Sequence, residues 1–358
     1  MAMRFVAALI LAFTAAGQEP KGASQDPRFG IQSRLVLIPA TVTDAKGKSV
    51  DDLEAGDFVV LDDGVPRTVN VDTFATGVAP ISLIVAVQAA GISAAALEKI
   101  QKVGAMIRPL VTGERGCAGV ISFSEEVKTL QECTPDEDKV ARAFETLQPG
   151  GDKRARMLDA VREAVEQLKK RQNTRRVLLL ISESKDRGSE TDLSNAVSAV
   201  QAAAVSVYAI TYSVYTTPFT TRSSATGPRK PARPPRTASE QSGTLSGGAE
   251  GSTMPKMPAA DQRVDLLGGI GELIRLGKVN TTEVLLNQTG GTAFSFLRQK
   301  GLESAIEKFG AELHSQYLLS FAPQSAQAGY HKLEVQLRRG AGYRVRARPG
   351  YWWAETAQ

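Results

Sequence analysis

Histidine and cysteine are scarce in this chain of 358 residues, with two of each. His314 and His331 are too few for a His-rich metal centre, and neither lies near a candidate nucleophile in sequence, which argues against a histidine-based triad. Neither cysteine has the neighbours that a reactive thiolate needs. Charge of one sign is also lacking: 43 Lys and Arg against 38 Asp and Glu leave a net +5, spread along the chain. That distribution gives no nucleic-acid footprint. A bilayer-spanning helix needs about 20 apolar residues, and the apolar run Phe5 to Phe13 falls well short of that. The run "GGIGELIRLG" at 268–277 imitates a phosphate loop but has no strand before it, so the dinucleotide context is missing.

The N-terminus, "MAMRFVAALILAFTAAGQEP", has the layout of a secretory signal peptide. Arg4 supplies a positive start, Phe5 to Phe13 the apolar stretch, and Ala15-Ala16-Gly17 a small-residue cleavage site. Residues 1–17 are therefore expected to be removed, leaving a mature chain that starts near Gln18 and has no transmembrane span. Its destination would be the periplasm, the cell surface or the medium. In an oxidising compartment the two cysteines take on a second meaning. Cys117 and Cys133 sit on two strand-like runs around a turn near Ser124-Glu125, so a hairpin folded there sets them roughly opposite each other. A disulfide is expected; two free buried thiols are the alternative.

With 42% hydrophobic residues, the chain can build a sizeable core, and its length suggests about two domains. Residues 31–78 read as all-β. "LVLIPATVT" alternates like a half-buried strand, and "DFVVLDDGVPRTVNVDTF" folds around the hairpin signal Asp63-Gly64. These strands are too few to bury a sandwich core alone. From Ile81 strands alternate with helices, the signature of a parallel sheet with crossovers. Ser93 is placed to cap the first helix, and Thr134 to Glu137 form a capping box for the second, with Pro135 in its first turn. A third helix is expected over 156–170, a buried strand over 175–182, a helix over 192–203 and then the strand "VSVYAITYS".

Residues 214–260 are rich in Ser, Thr, Pro and Gly and read as a disordered loop, with Arg229, Lys230, Arg233 and Arg236 in solvent. Helical texture returns at 262–276 and 281–288 and closes on Gly290-Gly291. The triplet Asn280-Thr281-Thr282 matches a glycosylation acceptor, a pattern that also arises by chance. A short strand, a helix over 301–314 and further strands complete the chain. In the last of these, Arg344, Arg346 and Arg348 alternate with Tyr343, Val345 and Ala347, as on a strand with one solvated face. Tyr351-Trp352-Trp353 read as aromatics closing a sandwich core.

Several phrases, in this order, resemble the VWFA-related proteins first described from Acidobacteria, which carry a von Willebrand factor A-type domain. They are "VLIPATVTDAKGKSVDDLEAGDFVVLDDGVPRTV", "LLLISESKDRGSE", "QTGGTAFSF" and "HSQYLLSFAP" with "VRARPGYW". The resemblance implies an α/β, doubly wound, Rossmann-like domain over 79–314. Strand counting adds that the β segment 315–353 pairs with 31–78 to form a β-sandwich-like domain.

Domains of this type usually hold a divalent cation at a site called MIDAS, with Asp-x-Ser-x-Ser after the first strand, a Thr from a second loop and an Asp from a third. Carried onto this chain, the motif falls on Gln88, Ala90 and Ile92, then near Ala155, and on Glu183. Magnesium gives up its hydration shell only to several charged or strongly polar oxygens. The expectation is a degenerate, metal-free site that needs no cofactor. Asp152, Glu183 and Asp186 are the weaker alternative, a rebuilt cage. The functional reading is an exported, non-catalytic protein-interaction or adhesion-type module whose partner is a protein. An enzyme, or an accessory chain of an exported enzyme complex, is the alternative.

Overall fold

The computed structural model describes residues 35–73, 79–92, 94–151, 154–183, 185–211, 280–295, 299–323, 327–339 and 342–353. The expected leader 1–17, Ser93, Asp152, the loop 214–260 and the segment 262–276 with its glycine run lie outside the described residues.

Strands β1 (Val36–Thr43), β2 (Phe58–Asp62), β3 (Val65–Arg67) and β4 (Asn70–Asp72) come first. Asp63 and Gly64 both take positive φ, 49° and 83°, as the two-residue turn between β2 and β3 requires. The next elements are β5 (Ile81–Gln88), α1 (Ala94–Ile107), β6 (Cys117–Phe123), β7 (Val127–Thr134), α2 (Glu137–Glu145) and α3 (Met157–Lys169). β8 (Arg175–Ser182), α4 (Leu193–Ala202) and β9 (Val205–Thr211) follow, then α5 (Thr281–Thr289), β10 (Ala293–Ser295) and α6 (Gln299–His314). The chain closes with β11 (Tyr317–Phe321), β12 (Gly329–Leu337), β13 (Arg344–Ala347) and β14 (Gly350–Trp353).

The six-stranded sheet runs β10-β9-β8-β5-β6-β7, parallel except for β7 at its edge. β5 lies inside it, and all eight of its residues are buried, which is why Leu83 to Val87 read as an unbroken apolar run. Its side chains divide between two cores by the period of two. Ile81, Leu83, Val85 and Val87 pack with Leu97, Ile100, Phe144, Ile306 and Phe309 of α1, α2 and α6. Ile84 and Ala86 pack with Leu158, Val161, Val197 and Leu285 of α3, α4 and α5. At roughly 2 kcal/mol per fully buried large apolar side chain, these two faces are the main source of the domain's stability.

Two antiparallel sheets, β13-β1-β11-β4 and β14-β12-β2-β3, share a third core. Here strands from the two ends of the described chain hydrogen-bond directly. β1 pairs with β11 (Ile38 opposite Leu319) and with β13, and β2 pairs with β12 (Val60 opposite Val335). An α/β, doubly wound domain accompanied by antiparallel sheets is therefore the observed fold class.

Several local expectations are corrected. The cap of α2 is Asp136, whose carboxylate accepts the Lys139 N–H at 3.1 Å, so Thr134 and Pro135 precede the helix. Thr134 instead accepts the Asp136 N–H at 3.2 Å. The arginine row is not one solvated face, because the strand breaks at Arg348-Pro349 and continues in the other sheet. Arg346 donates to Glu312 at 2.5 Å and to the Gly290 carbonyl at 2.7 Å, while Arg348 is buried. Of the terminal aromatics, Tyr351 joins the core and Trp352 is exposed. Asn280 caps α5, its Oδ1 accepting the Thr282 N–H at 3.0 Å. Its triplet thus has a structural use.

The expected disulfide between Cys117 and Cys133 is present, with Cα atoms 5.3 Å apart. It staples β6 to the edge strand β7, at the opposite end of β6 from the loops described next.

Candidate functional site

In an open α/β sheet, ligands meet the loops at the carboxyl ends of the strands. Three loops converge there in this protein: the turn after β5, the segment leading into α3, and the loop after β8. Gln88 ends β5 and is 1% exposed. Burying an amide is unfavourable unless its hydrogen bonds are made, and this one is satisfied inside the protein. Its Nε2 donates to the Ala90 carbonyl at 3.1 Å, and its Oε1 accepts the Glu183 N–H at 3.0 Å. Gln88 thus ties the β5 turn to the loop after β8.

Three of the other expected positions, Ala90, Ile92 and Ala155, have no side-chain oxygen to offer a cation. Ala90 is buried and bridges to Gly150 in the second loop, whose N–H meets the Ala89 carbonyl at 2.8 Å. Ile92 is part of the first core. Ala155, also fully buried, exchanges two backbone hydrogen bonds with Arg187, 2.9 Å and 3.0 Å long, closing the second loop on the third. Glu183 is 12% exposed and faces Arg187, with Oε2 3.4 Å from Nη2.

Asp186 is occupied with helix capping. Its Oδ1 accepts the Leu158 N–H at 3.1 Å and the Ser189 hydroxyl at 2.6 Å, next to the N-terminus of α3. With Asp152 outside the described residues, a set of Asp152, Glu183 and Asp186 is not assembled by what is described.

One residue that sequence reading passed over organises this region. Asp159, in the first turn of α3, takes four donors: the Thr191 N–H at 2.9 Å and hydroxyl at 2.6 Å, the Glu190 N–H at 3.1 Å and Arg156 Nε at 2.6 Å. Burial alone would raise its pKa, but these hydrogen bonds outweigh it and bring the carboxyl to about 2. The signal in the sequence was an aspartate inside the apolar run "MLDAV", on a face that helical spacing buries.

Elsewhere among the described residues, Asp62, Asp63 and His331 are close enough to share an ion. Each already has partners: Asp62 pairs with Arg67 at 3.0 Å, and Asp63 accepts from Lys332 N–H at 2.9 Å. His331 lies between Asp63 at 2.9 Å and the Gln327 carbonyl at 2.7 Å. His314 meets the Val111 carbonyl at 3.0 Å. Neither histidine is placed against a nucleophile in these contacts.

Residues 94–230 match the family model of the von Willebrand factor type A domain. The chain carries a domain of this family. The match begins after β5, so the strand and turn holding Gln88, Ala90 and Ile92 precede it. Among solved structures, the chain is similar to the conserved hypothetical protein BatB from Bacteroides thetaiotaomicron. That likeness has 16% identity and a TM-score of 0.30, and covers 37% of this chain and 66% of that one, just under two thirds of its length. It is also similar to an aerotolerance-related membrane protein from Bacteroides fragilis, at 13% identity and TM-score 0.37, covering 64% of this chain and 99% of that one. A third likeness is to the SpRpn10 von Willebrand factor A domain, at 14% identity and TM-score 0.27, covering 37% and 77%. No curated protein matches. Among the described residues, no helix is long and apolar enough to cross a membrane.

Proposed function

We propose that this protein is an exported, non-catalytic interaction module that binds a protein partner through the loops above its von Willebrand factor A-type sheet, without a divalent cation. The observation that supports it most is the use of Gln88. Both ends of its amide are engaged within the protein, at the position where a cation would need an anionic ligand. The neighbouring positions offer an alanine, a core isoleucine, a second alanine and a glutamate that already faces an arginine. Such a donor set does not fit a hard cation. The internal bonds Gln88–Glu183 and Ala155–Arg187 hold together the loops that a metal would otherwise gather. Export is supported by the signal-peptide layout of the first 17 residues and by the disulfide, which suits an oxidising compartment.

Calorimetric titration of the chelator-stripped mature protein with Mg²⁺, Ca²⁺ and Mn²⁺ tests this reading. Absence of both heat and any shift in melting temperature is the expected result. Micromolar binding that disappears in Glu183→Ala or Asp186→Ala would replace it with a rebuilt cation site.

A further inference from the structure

Arg346 has a carboxylate to meet its charge, and Arg344, two residues earlier on β13, has none. In the pairing of β1 with β13, Thr41 lies opposite Arg346 and Thr43 opposite Arg344. Residues directly opposite in an antiparallel pair, and those two apart along each strand, project from one face. These four side chains therefore leave the sheet together. The face looks onto α6, because Arg346 crosses to Glu312 at 2.5 Å. Lys308 lies four residues before Glu312, one turn along the same side of that helix.

Between the strands and the helix runs a cleft of about 680 Å³, within the roughly 300–1,000 Å³ of small-ligand sites. All six residues line it, and Phe294 of β10 adds an apolar wall. Its walls are tied within the protein. Arg346 and Glu312 join β13 to α6, and Ser49 Oγ donates to Ser315 Oγ at 3.1 Å just beyond the helix. The Phe294 ring is set edge-on against Phe309 of α6, with centroids 6.3 Å apart.

Charge in the cleft is unbalanced. Glu312, already held by Arg346, is the one carboxylate among its described lining residues. Lys308 and Arg344 are both exposed, and among the described residues neither forms an ion pair. Two like charges that face one cleft repel each other, and an anion between them replaces the repulsion with two attractions. A carboxylate would match only one of them. A phosphate monoester carries close to two negative charges at neutral pH and three strong acceptor oxygens, and the Thr43 hydroxyl opposite Arg344 can donate to the same group. The Phe294 wall suits a flat apolar body behind the phosphate.

We propose that this cleft binds a phosphate monoester carried on a flat apolar body, with Lys308 and Arg344 holding the phosphate and Phe294 facing the ring. The site shares no residue with the loops above the sheet and is independent of the metal-free reading of them.

The test is calorimetric titration of the full mature chain, in phosphate-free buffer at neutral pH, with 1-naphthyl phosphate, 1-naphthoate and inorganic phosphate. The ester is expected to bind one-to-one, and more tightly than either of the others. Lys308→Gln and Arg344→Gln should each weaken it by about tenfold, the size of one charge-assisted hydrogen bond. Both side chains are exposed, so these variants keep the fold. Lys128→Gln, at an exposed lysine on β7, the opposite edge of the six-stranded sheet from β10, should leave binding unchanged.

Absence of ester binding to the wild type at millimolar concentration overturns the proposal. So does equal weakening by Lys128→Gln, or a Lys308→Gln/Arg344→Gln double variant that binds as well as the wild type. Equal affinity for 1-naphthoate overturns the assignment of a phosphate, and displacement of the ester by equimolar inorganic phosphate overturns that of an apolar body.

Discussion

The Gln88 side chain accepts the Glu183 N–H across the carboxyl end of the sheet at 3.0 Å. The contact joins two loops that are 95 residues apart, and only one amide makes it. Gln88→Ala would leave that partly buried N–H and the buried Ala90 carbonyl without their partner. The expected cost is about 1–3 kcal/mol, the penalty for an unsatisfied buried group. Urea unfolding reads it directly. A variant as stable as the wild type would mean that the bond does not hold the loops together.

Asp159 gives the region an acid limit. Its folded pKa is lowered to about 2, against about 3.9 in an unfolded chain. A depressed carboxyl stabilises the fold above the unfolded value, and this contribution is lost as pH falls from about 4 through 2. The contribution is about 2 kcal/mol at neutral pH. Asp159→Asn should be less stable at pH 7 and should flatten the decline below pH 4. Melting temperatures of both proteins between pH 2 and 7 check the slope; parallel curves would assign the acid sensitivity to other carboxylates.

How much of this was legible in the sequence depends on the range of the interactions. The apolar run Leu83 to Val87 in β5 and the Asp63-Gly64 turn are governed by local rules, and they are read directly. The pairing of β1 with β11 and β13 followed from counting strands that had no other partner. The disulfide followed from a hairpin that sets Cys117 opposite Cys133. Asp159 was missed because its four donors come from residues on either side, Arg156 and a loop about 30 residues later. The arginine row was misread because Pro349 redirects the chain into a second sheet, which period-two counting cannot detect. Asn280 looked like a modification signal because a helix cap and an acceptor triplet favour the same residue types.

Gln316 is one of the residues that join the α/β domain to the antiparallel sheets. This residue donates to the Tyr208 hydroxyl at 2.6 Å and to Thr41 Oγ1 at 3.2 Å, and accepts from Arg175 Nη2 at 2.5 Å. All four residues are buried. Burial pushes the Arg175 guanidinium below its ordinary value, so this charge is sensitive to losing an acceptor. Gln316→Leu keeps the volume and removes all three bonds. A loss of about 3 kcal/mol is expected in chemical denaturation, because the Arg175 guanidinium keeps only the Leu313 carbonyl at 3.0 Å and two hydroxyls lose their donor. A neutral result would mean that the groups re-pair when Gln316 is gone.

The disulfide stabilises the fold through the unfolded chain more than through the folded one. It closes a loop between positions 16 residues apart, and the chain-entropy model assigns such a loop about 3 kcal/mol. The Cys117→Ser/Cys133→Ser variant should therefore unfold at lower denaturant with a slightly larger denaturant slope, since its unfolded state is less compact. Guanidinium titration of both forms reads the midpoint and the slope together. A variant with the wild-type midpoint would mean that the cross-link strains the folded hairpin by as much as it restricts the unfolded chain.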